Sequence, residues 1–287
     1  VKPPEFDYVA PESLAEAHAT LAPDPDAKVL AGGQSLIALL ALRMSYPTTL
    51  VDLRRVPGLS GVKAEDGVVR IGAMTTQRQA ERDATLAERV PLVGEALRHV
   101  AHPQIRNRGT VGGSIAHADP AAELPAVLLA LDGRLHASSA RGSRVIEADG
   151  FFAGFLMTAL EPDEIVTAVE FKAAPPRTGA ACAEVARRHG DYALAGAVAQ
   201  VSRGGDGAVS ETRVALLGVG DRPVRATAVE QALTGSAGDE AAIRAAAAGA
   251  GEGWSPVDDP QLSADYRVHL ARVVTRRALE QAMERAS

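Results

Sequence analysis

Three observations predict an α+β fold in two unequal domains. Strand-like and helix-like segments follow one another without regular alternation, which argues against a doubly wound parallel sheet. A proline pair in Ala174-Pro175-Pro176-Arg177 interrupts the chain as a linker would. The 287 residues are also enough for one large domain or two ordinary ones. The division is expected at 1–174 and 178–287, with the first part split again into subdomains of about 1–55 and 56–174.

Each element has a local reason. Pro11 stands at a first-turn position for a helix over Glu12–Leu21, whose Leu14, Ala17, His18 and Leu21 share one face. Ala27–Leu30 is a short apolar run into Gly32-Gly33, hence strand then turn. Ser35–Arg43 is apolar almost all round and predicts a buried helix, and Thr49–Leu53 has strand composition. Asp66-Gly67 between Gly61–Glu65 and Val68–Gly72 predicts a two-residue hairpin. Helical period runs through Thr76–Leu86 and Leu92–Val100, and His102-Pro103 stops the second run. Gly109–Gly113 reads as a turn. Asp119-Pro120 reads as the N-cap and first residue of a helix over Ala121–Leu131. Short strands are expected at Arg134–Ser138, Arg144–Glu147 and Ile165–Phe171.

Beyond the linker, Glu184–His189 carries no assigned element. Strands Ala197–Ser202 and Val209–Leu217 flank a Gly204-Gly205-Asp206-Gly207 turn. Val229–Leu233, Ala241–Ala248 and Asp265–Arg285 then read as helices, the last with Leu270, Val273, Val274, Ala278 and Met283 in helical spacing.

Composition removes several function classes. Thirty basic residues stand against 36 acidic ones, net −6, with no basic block, so the electrostatic footprint of a nucleic-acid binder is missing. No apolar run approaches the ~18–20 residues of a membrane-spanning helix. Val1 to Asp7 carry prolines and charges where a signal peptide would be apolar. A cytoplasmic location is expected, with a peripheral position at the inner face of the membrane left open. The single cysteine, Cys182, forms neither an internal disulfide nor a cysteine-built metal site, and it cannot hold an iron–sulfur cluster. It reads as a small buried residue. The seven histidines are scattered, only His99 and His102 lying close, and no metal site is expected.

The candidate chemistry lies in two glycine pairs, in Ala31-Gly32-Gly33-Gln34-Ser35 and Thr110-Val111-Gly112-Gly113-Ser114. A phosphate needs converging backbone N–H groups at close range, and glycine removes the Cβ that obstructs the approach. A helix starting after such a turn adds free N–H groups and the positive end of its dipole. Gly32 and Gly112 lie 80 positions apart, and one diphosphate gripped by both loops would account for the two. A single Gly-Gly is far more often a tight turn. No Gly-x-Gly-x-x-Gly follows a strand, since Gly218-Val219-Gly220 runs into Arg222-Pro223. Neither the Gly-x-x-x-x-Gly-Lys-Ser/Thr loop of P-loop ATPases nor a Gly-x-Ser-x-Gly nucleophile turn is present.

Three segments carry a family resemblance: Ala31-Gly32-Gly33-Gln34-Ser35-Leu36, the run Pro103-Gln104-Ile105-Arg106-Asn107-Arg108-Gly109-Thr110-Val111-Gly112-Gly113-Ser114-Ile115, and Gly190-Asp191-Tyr192-Ala193. Together they closely resemble the medium, FAD-binding subunit of molybdenum hydroxylases. The aerobic carbon monoxide dehydrogenase group looks nearest and xanthine dehydrogenase more distant. The resemblance spans essentially the whole chain. It implies the two-lobed FAD-binding domain of vanillyl-alcohol-oxidase-like flavoproteins, followed by a small α+β flavoprotein C-terminal domain.

It also implies roles. Val29, Leu30, Ala31, Gly32, Gly33, Gln34, Ser35 and Leu36 would wrap the FAD diphosphate as the first loop, and Thr110, Val111, Gly112, Gly113 and Ser114 as the second. Val100 joins the cofactor set. Glu123 or Asp119 would stand near the ribose or adenine side, Leu160 would meet the flavin through its main chain, and Tyr192 would lie over the isoalloxazine ring. Ser114 replaces the family's usual Asn, and its hydroxyl can still bond phosphate. No catalytic residue is expected. Molybdenum–pterin and [2Fe–2S] clusters would belong to partners, a large and a small subunit, in a dimer of heterotrimers that passes electrons to FAD and on to an external acceptor.

Other readings stand beside these. Tyr192 also suits a core position, Asp119 a helix cap, and Arg106 and Arg108 either phosphate neighbours or surface charges. A stand-alone FAD oxidoreductase with its own substrate pocket, and a flavin-free interaction module, are the alternatives at the level of function.

Overall fold

The computed structural model describes residues 2–256 and 258–286. The first lobe holds β1 (Asp7–Val9), α1 (Leu14–Leu21), β2 (Lys28–Leu30), α2 (Leu36–Ala41) and β3 (Thr49–Asp52). Its three strands form a small parallel sheet in the order β1-β3-β2. Ser13 caps α1, its hydroxyl accepting from the Glu16 N–H, so Pro11 lies before the cap and not in the first turn. The α2 helix is not buried as its composition suggested. Only Leu40 is covered, while Ile37 and Leu42 are 46% and 67% exposed. A six-residue helix beside a three-stranded sheet has only one face to lay on it.

The second lobe runs from β4 (Val62–Glu65) and β5 (Val68–Gly72) through α3 (Gln77–Glu81), α4 (Ala84–Arg89), α5 (Pro91–Leu97), α6 (Pro103–Arg106), α7 (Val111–His117) and α8 (Glu123–Ala130). It continues with β6 (Arg134–Ser139), β7 (Gly142–Glu147), the short pair β8 (Phe152–Gly154) and β9 (Met157–Thr158), and β10 (Ile165–Lys172). The antiparallel sheet β4-β5-β10-β6-β7 is its spine. The expected Asp66-Gly67 hairpin joins β4 to β5, both turn residues having positive φ. The single helix expected over Thr76–Leu86 is two, because Asp83 leaves helical geometry and its carboxylate caps α4.

Two expectations fail near the glycine pairs. Gly112 and Gly113 are not in a turn ahead of a helix. They form the first turn of α7, with Thr110 as the cap. The helix expected from Ala121 starts at Glu123 with Ala122 at its cap. The Asp119 carboxylate instead accepts from the Ala121 N–H in a local turn.

A loop through residues 173–177 leads to β11 (Thr178–Ala186), β12 (Ala193–Arg203), β13 (Val209–Leu217) and β14 (Val224–Arg225), an antiparallel sheet in that order. Then follow α9 (Thr227–Leu233), α10 (Glu240–Ala247) and α11 (Ala264–Arg285). Alternation sorts β11 by face. Ala181 and Ala183 pack into a core with α9 to α11, while Ala180 and Cys182 join the core of the second lobe with α5 and α8. No helix is long and apolar enough to cross a membrane among the described residues.

Candidate cofactor-binding site

The two glycine loops meet. A Cβ on Gly32 would sit 2.2 Å from the Arg108 carbonyl oxygen and 2.8 Å from Gly109 Cα, so the β2–α2 loop lies directly on the backbone that enters α7. A Cβ on Gly113 would sit 2.6 Å from Thr110 Oγ1 and 3.2 Å from the Ala31 Cβ, which joins the loops a second time. Gly112 is packed the other way, onto Ala73, at 2.4 Å. Gly33 has φ +75°, a conformation that favours glycine. Gly32 and Gly112 thus serve close packing, Gly33 serves the turn, and Gly113 lines the junction.

The loops differ in what they offer an anion. Within the described residues, none of the N–H groups from Gly32 through Leu36 donates a hydrogen bond, although Gln34 Nε2 bonds the Gly32 carbonyl at 3.1 Å and steadies the loop. Successive free N–H groups in a turn ending at a helix start make an anion nest. At α7 the donors are already used. Val111 and Gly112 donate to the Thr75 and Ala73 carbonyls, and Gly113 to Thr110 Oγ1 at 3.0 Å. The second loop therefore gives a wall without side chains, plus the Ser114 hydroxyl. The first loop gives the donors. Sequence reasoning treated them as equivalent.

Tyr192 stands at the same place. The residue is 64% exposed, so it is not a core tyrosine. Partial burial of the hydroxyl end, then the carboxylates of Asp119 and Glu123, raise its pKa, and the Ser35 hydroxyl works in the opposite direction. The phenol thus lies near the first glycine loop, within the field of the Asp119 and Glu123 carboxylates. Its loop is anchored through Gly190 (φ +87°), where a Cβ would overlap the His102 ring at 2.4 Å, and the His102 and His189 rings meet edge-on at 6.1 Å.

Glu123 is 9% exposed, and burial, with Glu184 next in effect, pushes its carboxyl up to about 8. Val100 belongs to the main core, its carbonyl accepting from Arg106 Nη1 at 2.8 Å. Leu160 packs against that core, its N–H directed to Thr158 Oγ1 at 3.3 Å. Arg106 is 6% exposed and committed to structure. It pairs with Glu81 and holds the carbonyls of Val100 and Ala101. Burial works against Glu81 ionising, but Arg78 and Arg106 outweigh it and hold the carboxyl below its ordinary value. Arg108 lends its backbone carbonyl to the loop junction. The His102 anchor under the Gly190 turn escaped sequence reasoning, because the two positions lie far apart in the chain.

A nest of free N–H groups against a wall without side chains fits a diphosphate, and a partly exposed tyrosine beside it fits a planar ring. Residues 4–172 match the family model for the FAD-binding domain of molybdopterin dehydrogenases, and residues 180–282 match that for the carbon monoxide dehydrogenase flavoprotein C-terminal domain. The chain belongs to this family of FAD-binding oxidoreductase subunits. It is 42% identical, over all of its length and 97% of the relative's, to the alpha subunit of the 6-hydroxypseudooxynicotine dehydrogenase complex of Paenarthrobacter nicotinovorans. Among solved structures it is similar to carbon monoxide dehydrogenase from Hydrogenophaga pseudoflava, with TM-score 0.96 and 40% identity over 100% of both chains. Quinoline 2-oxidoreductase from Pseudomonas putida 86 matches with TM-score 0.94 and 41% identity, over 100% of this chain and 99% of that one.

Proposed function

We propose that this chain is the electron-relay subunit of a three-subunit molybdenum hydroxylase. A small subunit with two [2Fe–2S] clusters delivers electrons, a large molybdenum–pterin subunit oxidises the substrate, and an external acceptor drains the flavin. The complex is a dimer of such heterotrimers in the cytoplasm. The domain division falls at the loop between 174 and 178. The observation that carries this reading is the nest of free N–H groups at Gly32–Leu36 set against Thr110–Ser114. Bound FAD supplies the two-electron redox chemistry, while the protein holds and orients it.

In this reading Val29 to Leu36 wrap the diphosphate, with the N–H groups of Gly32–Leu36 as donors. Gly113 admits the phosphates and the Ser114 hydroxyl bonds them. Asp119 and Glu123 serve the ribose side. Tyr192 covers the flavin ring, and Val100 and the Leu160 main chain complete the surround. Substrate selectivity sits in the large subunit. Relatives of this chain bear names as different as carbon monoxide dehydrogenase and caffeine dehydrogenase, as that division of labour requires.

The test is co-expression with the genes for candidate small and large subunits, purification through a tag on this chain, and metal and flavin analysis. The expected result is a complex with FAD, iron and molybdenum whose flavin absorption bleaches on adding substrate, and only when the iron–sulfur subunit is present. A chain that purifies alone and reduces its flavin with its own substrate would instead establish the stand-alone oxidoreductase.

A further inference from the structure

Folding brings together three side chains that the sequence keeps apart. His99 follows α5, and Cys182 and Glu184 are both in β11 of the C-terminal domain. One ligand-type atom from each lies within 4.8 Å of the others. The His99 Nδ1 to Glu184 Oε1 distance is 3.4 Å. Ligand atoms sharing one tetrahedral ion are spaced by about 3–4 Å, given bond lengths of about 2.0–2.3 Å, so this pair already has the right span.

A second, independent observation points into the cluster. Glu184 has a side chain only 9% exposed, and its Oε2 is fully buried with no hydrogen-bond partner among the described residues. A buried carboxylate oxygen without a donor is strongly disfavoured unless a cation satisfies it. No hydrogen bond reaches it from the neighbouring Glu123, which is likewise 9% exposed. His99 engages the other Glu184 oxygen.

We propose that His99, Cys182 and Glu184 bind a divalent transition metal of the zinc kind at the boundary between the two domains. The ligand set decides the class. A thiolate with an imidazole excludes magnesium and calcium, which take oxygen ligands, and a set of one nitrogen, one sulfur and one oxygen suits zinc. The buried Cys182 thiol gives up its proton to solvent as the metal–sulfur bond forms, so uptake weakens as pH falls. The ion staples the turn after α5 to β11.

The experiment uses the full-length chain stripped by a chelator and titrated with zinc and, separately, cobalt at neutral pH. The expected result is one ion bound per chain, a thiolate-to-cobalt charge-transfer band in the near ultraviolet, and a rise in the unfolding midpoint with zinc. Cys182→Ser loses the band, and His99→Ala loses the zinc-dependent rise in midpoint. Failure of the parent chain to take up either metal overturns the proposal. So does a cobalt spectrum without the thiolate band, whatever the variants do.

Discussion

Arg106 shows how a residue's role is set by its partners. Its side chain is 8% exposed, faces Glu81 and donates to two carbonyls, so truncation leaves those carbonyls without that donor and the Glu81 carboxylate with Arg78 alone. Arg106→Ala is expected to destabilise the fold by about 3 kcal/mol, measured by urea unfolding at neutral pH. Glu81 has its pKa held down in the folded state, so the stability it contributes is complete above the ordinary value of 4.5 and is lost as pH falls through the lower, folded value. The difference in stability between the wild-type chain and Glu81→Gln should therefore shrink in acid. A difference that stays constant with pH would remove Glu81 from the account. At this scale the sequence told little. Arg106 and Arg108 read alike in it, because the acid that binds Arg106 lies 25 positions away and only the packing of α3 against α6 joins them.

At the scale of elements, α7 is the informative case. Thr110 caps it and holds Gly113 in place, so Thr110→Ala should cost about 1 kcal/mol and also weaken FAD binding, read by calorimetry and by flavin content. Legibility depended on how each element announces itself. The Asp66-Gly67 hairpin and α11 were plain, because a two-residue turn and a long apolar period are local signals. The β11 strand was missed. Its Thr178–Ala186 run holds four alanines, a glycine and a cysteine, with little β-branched content to mark a strand. Packing accounts for that composition, since α11 comes so close that a Cβ on Gly179 would sit 2.0 Å from the Ala282 carbonyl oxygen. That the two glycine loops belong together was legible in the sequence. Their unequal division into donors and wall was not, because it rests on the Ala73 and Thr75 carbonyls that occupy the α7 donors.

Across the whole molecule, the two sequence families meet in one core. Ala180, Cys182, Val198, Ala215 and Leu217 of the C-terminal sheet are buried with Leu92, Leu97, Leu124 and Leu128 of the FAD-binding part. The chain is therefore expected to unfold in one calorimetric transition, and a fragment ending at residue 176 to aggregate, because it would expose that apolar face. Two separate transitions would mean that the parts are energetically independent. The two prolines of the loop before β11 stand out in the sequence, whereas the shared core does not, since alternation along a strand does not tell which neighbour each face meets.

FAD is expected to be gripped where the two glycine loops meet, and the flavin content of the purified complex decides it. Gly113→Ala puts a methyl group 2.6 Å from Thr110 Oγ1 and 3.2 Å from the Ala31 Cβ, while Gly150→Ala, where a Cβ meets nothing within 4 Å, serves as the control. The account predicts that the Gly113→Ala complex still assembles with its partner subunits but loses its FAD, and that the control keeps it. A Gly113→Ala complex that retained FAD at the parent affinity would contradict it.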